Sequence, residues 1–267
     1  MASAEQHAEQ PIDWSRVDAV LFDLDGVITP TAEVHMRAWA DLFEGFLATR
    51  HGVEPYAESD YFAHVDGKPR YDGVRDLLAS RGIELPEGSD DDPGDQAEGE
   101  ETVKGLGNRK DAAFAEALER DGVDPYPGSL ALVEQLAARD LPMAIVSSSR
   151  NAPKVLEAAE MSRFFPVVMH GGVAAERGIA GKPAPDTYQA AAVDLGVAEQ
   201  RCVVVEDATS GVAAGAAGDF AYVVGVDRGA GEQALRDHGA DVVVRDLAEL
   251  ADLPNPARSD ASAEEAQ

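Results

Sequence analysis

The sequence predicts an α/β fold built on a parallel sheet, and three observations carry that prediction. Short Val-rich runs recur along the chain, at VDAVLFDL, LPMAIVSSS, RCVVVED, FAYVVGVD and ADVVVRD. Ala-rich segments of helical length separate them, so strands and helices alternate. The runs are continuously apolar rather than alternating, as expected of strands covered on both faces by crossover helices.

The alternation lapses once, between Thr31 and about Pro125, where no comparable Val-rich run occurs. TAEVHMRAWADLFEGFLATR, YDGVRDLLASRG and GLGNRKDAAFAEALERDG instead place apolar residues three and four apart, the spacing of an amphipathic helix. An all-helical insertion after the first strand follows, with residues 14–30 and 126–253 forming the sheet-bearing core and 31–125 the insertion. Between its helices, PEGSDDDPGDQAEGEE (86–101) is rich in Pro, Gly and acid and predicts a mobile, solvated loop. Polar ends at 1–13 and 254–267 predict flexible termini.

Charge narrows the function classes. The 267 residues carry 50 acidic against 22 basic side chains, a formal net charge of -28. Such a balance opposes binding to nucleic acid or an anionic membrane, so a bound phosphate must be held by local groups. The opening MASAEQHAEQPIDW has neither a basic start nor an apolar segment, and a cytoplasmic protein is expected. Cys202 is the single cysteine, set in an apolar strand, and reads as a small buried side chain.

Chemistry-bearing residues gather at the predicted strand ends. Asp23 closes the first strand and Asp25 lies just beyond it, with Gly26 allowing a sharp turn. AIVSSSRNAP ends a strand in Ser147, Ser148 and Ser149, and Ser149 or Asn151 is placed to cap a helix near Pro153. GKPAPD brings Lys182 before another helix, and VVVEDATSG ends in Glu206 and Asp207. Each piece alone is compatible with a turn, cap or solvated loop. Their coincidence at four strand ends fits the rule that ligands collect at the carboxyl ends of parallel strands. Carboxylates at Asp23, Asp207 and Glu206 repel one another unless a hard cation such as Mg2+ sits among them, which leaves Ser147 and Lys182 as donors to phosphoryl oxygens.

The ordered set DLDGV, VSSS, GKPAPD and EDATSGVAA resembles the haloacid dehalogenase superfamily over about residues 17–250, and FDLDGVITPTAEVHMRAW, GKPR, NRK and SSSRNAP are most similar to its β-phosphoglucomutase-like members. The resemblance implies a Rossmann-like three-layer core with the helical insertion as a cap. It implies that Asp23 is the nucleophile forming an aspartyl phosphate, and that Asp25 is the general acid and base. Mg2+ is implied on Asp23, the Asp25 backbone carbonyl, Glu206 and Asp207, with Ser147 and Lys182 orienting the transferring oxygens. For a sugar-phosphate substrate it implies Arg70, Ser149, Arg150 and Asn151 at a second phosphate, Ser148 among the substrate-binding residues, close backbone approach at Gly67, and His35, Trp39 and Lys110 as residues that contact the sugar or support Asp25. Superfamily dehalogenases and ATPases generally lack the second Asp, so transfer involving an oxygen leaving group is implied. A phosphatase shares these core motifs, and a silent sugar-phosphate sensor is the remaining alternative. The resemblance leaves a monomer as the expected state. Pro30 stands where close relatives usually carry Asp, so the hinge into the helices is expected to differ.

Overall fold

The computed structural model describes residues 12–97 and 99–251. The predicted flexible tail at 254–267 lies outside them, as do residues 1–11 of the predicted flexible start. Ile12 is buried in the core and the Asp13 side chain caps a short turn at Trp14–Arg16, so packing begins before the expected boundary at 14.

Among the described residues the strands form one parallel sheet: β1 (Ala19–Phe22), β2 (Met143–Ser147), β3 (Val167–His170), β4 (Cys202–Glu206), β5 (Tyr222–Val226) and β6 (Val242–Val244), in the order β3-β2-β1-β4-β5-β6. The five Val-rich runs all became strands. β3 was not anticipated, because VVMH is short and follows Pro166; as an edge strand it leaves Val167, Val168 and His170 only half-buried.

Successive strand residues point to opposite faces. Val20, Phe22, Ile145, Val203 and Val205 join one apolar cluster, while Ala19, Leu21, Ala144, Val146 and Val204 join another. Buried Cys202 belongs to the second, and burial pushes its thiol up to about 12, which keeps it an uncharged packing group. Around the sheet run α5 (Pro127–Ala137), α6 (Ala152–Ala158), α7 (Gly171–Arg177), α8 (Asp186–Leu195), α9 (Thr209–Ala217) and α10 (Glu232–Asp237).

The segment between β1 and α5 is helical: α1 (Thr31–Ala48), α2 (Glu58–Asp60) running into a wider turn at Tyr61–Val65, α3 (Arg70–Ser80) and α4 (Val103–Asp121). The expected helices thus appear, and Trp39, Leu42, Phe43, Phe46, Leu77 and Leu106 close an apolar cluster of their own. Thr102 caps α4 through its hydroxyl, which accepts from Gly105 N at 3.0 Å. The acidic loop is solvated but tied down rather than hanging free. Asn108 Nδ2 donates to the carbonyls of Asp90 (3.0 Å) and Asp92 (2.9 Å), and Lys104 pairs with Asp90 at 2.9 Å. Regularly spaced polar groups on α4 thereby satisfy a loop whose composition alone promised motion.

Phe114, on α4, crosses from the helical segment into the sheet's own apolar cluster and is fully buried. Phe114→Ala is expected to cost about 3–5 kcal/mol, read as a lower urea midpoint with an unchanged slope.

Candidate active site

β1, β2 and β4 are neighbours at the centre of the sheet, and their registers align Phe22 with Ile145 and with Val205. Their carboxyl ends therefore open side by side, and Asp23, Ser147 and Glu206 meet there. Gly26 has φ +86°, and a Cβ at that position would collide with the Asp207 carboxylate. Glycine alone lets the turn after Asp25 press against the end of β4.

Lys182 is the buried hub. Its Nζ donates to Asp23 Oδ1 at 2.5 Å, to the Val146 carbonyl at 2.9 Å and to Glu206 Oε1. Burial opposes its charge, but Asp23 and Glu206 hold the ammonium protonated well beyond the ordinary lysine range. Tyr188 OH also donates to Glu206 Oε1 at 2.9 Å, while Oε2 accepts from the backbone N–H of Asp207 (3.1 Å) and Ala208 (3.2 Å). Both Glu206 oxygens are thus already saturated by protein donors.

Asp207 is different. Among the described residues its carboxylate has no hydrogen bond or ion pair, and its pKa is driven well up, first by burial and then by Asp66, Glu206, Asp23 and Asp25. Asp23 is also raised, by burial foremost and by Glu206 and Asp25, against the pull of Lys182. Ligand atoms of Asp23, Glu206 and Asp207 lie within 4.8 Å of one another. An all-oxygen set that is over-charged and includes an unpartnered carboxylate fits a hard divalent cation. Asp23 and Asp207 are the freest to hold one, and Glu206 would have to share.

Asp25 sits in a second network. The Thr31 hydroxyl donates to Asp25 Oδ1, Ser147 Oγ lies 3.4 Å from Oδ2, and His35 Nε2 faces Oδ1 at 3.3 Å. Burial alone would raise Asp25, but His35, Thr31 and Lys110 outweigh it and hold the carboxyl down at about 2. Lys110 Nζ meets His35 Nδ1, so a neutral imidazole accepts there and carries its proton on Nε2, which lies 3.3 Å from Asp25 Oδ1 without hydrogen-bond alignment. His35 is kept neutral by burial and by the Lys110 charge, and it stacks on Phe114 with ring centroids 4.0 Å apart. Burial brings Lys110 down to about 7. Pro30 directly precedes α1, and the hinge's polar contact to Asp25 is supplied by Thr31.

The helical segment docks on these strand ends through the Asp66–Arg70 turn. Ser148 Oγ donates to the Gly67 carbonyl at 2.7 Å and Ser210 Oγ to the Asp66 carbonyl at 2.9 Å. Gly67 has φ +69°, and a Cβ would clash with Ser210 Oγ, so glycine lets this turn press against the start of α9. The cavity between the helical segment and the strand ends, about 230 Å3, is lined by Asp23, Asp25, His35, Trp39, Gly67, Arg70, Lys110, Ser147, Ser148, Ser149, Arg150, Glu206 and Asp207. Trp39 serves two ends, since it also stacks on Phe43 at 5.4 Å in the helical core.

Lys182 and Asn151 do not line that cavity. Lys182 reaches it only through Asp23 and Glu206. Asn151 precedes α6 but its side chain makes no cap, contrary to expectation; Nδ2 instead donates to Asp111 Oδ1 at 2.7 Å, and Ser149 Oγ accepts from Asn151 N at 3.2 Å. Arg70 Nη2 reaches the same Asp111 oxygen at 2.8 Å and Nη1 reaches Asn108 Oδ1 at 3.3 Å. The Tyr71 ring lies 5.6 Å from the Arg70 guanidinium and 5.8 Å from that of Arg150.

Sequence reading missed Asp66, Asp111, Asn108 and Thr31. Asp66 faces Glu206, and burial lifts it to about 7. Its only signal was adjacency to Gly67, and Asp111 looked like one more charge on a solvated helix.

A family model described as haloacid dehalogenase-like hydrolase matches residues 17–219. The chain belongs to that family. Within it, the chain is 49% identical over 244 residues to a β-phosphoglucomutase of Mycobacterium tuberculosis (strain CDC 1551 / Oshkosh), covering 88% of this chain and 92% of the relative. Hexitol phosphatase A of Escherichia coli (strain K12) is 31% identical, over 90% of this chain and 96% of its own. A crystal structure of β-phosphoglucomutase from Clostridium difficile shares the fold, with TM-score 0.68 and 24% identity over 88% of this chain and 93% of that one.

Two outcomes test the electrostatics. Carboxylates with raised pKa values bind more protons folded than unfolded, so they lower stability as pH rises above about 4. A divalent cation that takes their charge is expected to raise the melting temperature more at pH 8 than at pH 5, with protons released on binding and detectable by calorimetry in two buffers. Lys110 is the converse: a buried amine of lowered pKa costs stability in full below about 7, and the cost fades toward its unfolded value near 10.4. Lys110→Met is therefore expected to fold more stably than the parent at pH 6.5, with the gain shrinking by pH 10, while turnover falls.

Proposed function

We propose that the protein is a Mg2+-dependent phosphomutase that interconverts β-glucose 1-phosphate and glucose 6-phosphate through β-glucose 1,6-bisphosphate. One observation carries the reading: a single cavity is lined both by the Asp23–Asp25 pair and by Arg70 and Arg150, so one space offers a reacting centre and a second anion site. The 49% identity to a β-phosphoglucomutase supports the sugar.

Residues 31–125 act as a cap on a core formed by 14–30 and 126–253. Asp23 takes the phosphoryl group on its carboxylate, which divides the transfer into two displacements. Asp25, held ionised at about 2, is ready to accept the proton of the attacking sugar hydroxyl and to return it to the leaving oxygen in the second half-reaction. Thr31 and the His35–Lys110 pair aim its oxygens. Ser147 and the Lys182 ammonium, working beside Asp23, steady the transferring oxygens. Mg2+, when bound by Asp23, Asp207, the Asp25 carbonyl and a share of Glu206, supplies positive charge that offsets the carboxylates and the phosphate. Arg70, with Ser148, Ser149 and Arg150, receives the second phosphate, and Trp39, His35 and Lys110 border the sugar. The enzyme works as a cytoplasmic monomer on a small sugar phosphate, since a net charge of -28 repels polyanions.

The rival reading, a sugar-phosphate phosphatase, is favoured by the 31% identity to hexitol phosphatase A. Incubating the protein with β-glucose 1-phosphate, trace β-glucose 1,6-bisphosphate and Mg2+ is expected to yield glucose 6-phosphate; inorganic phosphate without it would establish the phosphatase instead. Asp23→Asn is expected to abolish either turnover while its circular dichroism stays close to the parent's.

A further inference from the structure

Asn151 is buried, stays out of the cavity wall and spends its amide on Asp111. Arg70, which does line the cavity, spends one amino group on the same oxygen. We propose that Asp111 is the positioning residue of the second phosphate site, clamping the Arg70 guanidinium against an anchor supplied by Asn151. The inference rests on the two-phosphate reading above.

A guanidinium on a long side chain binds phosphate well only if its fork is already aimed, because ordering it otherwise consumes affinity. Asp111 Oδ1 accepts from Arg70 Nη2 at 2.8 Å and from Asn151 Nδ2 at 2.7 Å, joining the start of α3 to the residue before α6. Asn108 holds the other amino group at 3.3 Å and is itself fixed by Tyr71 OH at 2.9 Å and by the carbonyls of the acidic loop. The guanidinium is thus gripped at both amino groups, yet it keeps N–H groups to offer. Asn151 meets the anion only through Asp111, which reassigns it from phosphate contact to support.

The clamp also crosses the seam between the helical segment and the sheet. Asp111 and Arg70 belong to the helical side, whereas Asn151 follows β2. The Asn151–Asp111 bond is the part of the clamp that crosses the seam, so docking of the two sides completes the support behind Arg70.

The test compares the parent with Asp111→Ala, Asp111→Asn, Asn151→Ala and the Asp111→Ala/Asn151→Ala double variant. Two phosphoryl donors are used: β-glucose 1,6-bisphosphate, and acetyl phosphate, which has no second phosphate and a leaving group that needs no acid. Asp111→Ala is expected to raise the half-saturating bisphosphate concentration roughly 10-fold, with kcat changed far less and with a much smaller effect on acetyl phosphate. Asn151→Ala is expected to do the same and the double variant to be no worse than either single one. Asp111→Asn, which keeps the accepting oxygen, should recover most of the loss. Equal losses on both donors, additive losses in the double variant, or an unchanged half-saturating concentration would each overturn the proposal. If Asp111→Ala does not fold, Asp111→Asn and Asn151→Ala decide it alone, the same fall on kcat or on acetyl phosphate counting against. The parent's product, sugar monophosphate or inorganic phosphate, separately tests the mutase reading, because the ratios between variants hold for either product.

Discussion

The crowding of carboxylates around one buried ammonium is the constraint on which the site depends. Asp23, Glu206 and Asp207 arrive at adjacent strand ends because the sheet is parallel and β1 lies between β2 and β4. Asp25 follows through the turn at Gly26, and Asp66 comes down from the helical side. Lys182 neutralises part of this charge and is held by Asp23, Glu206 and a backbone carbonyl, so it cannot serve Asp207 as well. The imbalance is therefore localised on one carboxylate. Low dielectric makes such a residue costly, and the same cost becomes affinity when a cation arrives.

The docked helices add to that imbalance rather than relieving it. Docking of the Asp66 and Gly67 carbonyls on Ser210 and Ser148 is neutral hydrogen bonding, but it carries the Asp66 carboxyl to the Glu206 side of the cavity. Cations on the opposing surfaces compensate: Lys110 beside His35, and Arg70, Lys68 and Arg150 on the cavity wall. A chain with a net charge of -28 thus keeps Lys68, Arg70, Arg75, Lys110 and Arg150 on the wall of a cavity that also carries the carboxylate cluster.

The sheet and the strand-end residues were legible because their causes are local. Val-rich runs need burial on both faces, and Gly26 and Gly67 mark backbone that must pass close to another segment. β3 escaped because a four-residue edge strand has neither length nor full burial to announce it. Asp66, Asp111 and Asn108 escaped for a different reason. A polar residue on a helix or turn reads as solvated until the facing surface is known, and here that surface comes from strands or loops distant in the chain. Asn151 was noticed for the wrong cause: proximity to Pro153 suggested a cap, but Asp111, from a helix 40 positions earlier, is the stronger acceptor for its amide.

Helix α4 then accounts for why phosphoryl chemistry and substrate recognition can be coupled without a moving loop of their own. Lys110 and Asp111 are adjacent on it; the first meets His35 beside Asp25, and the second meets Arg70 and Asn151. Neighbouring helical positions diverge by about 100°, so one rigid helix addresses both Asp25, by way of His35, and Arg70. Phe114, one turn further on, fixes its height by stacking on His35 and packing into the sheet cluster. A displacement of α4 that loosens Arg70 must also withdraw Lys110 from His35. On the proposed two-phosphate reading, binding energy from a remote phosphate is converted through α4 into alignment at the reacting oxygen, which is how an enzyme raises turnover rather than mere occupancy.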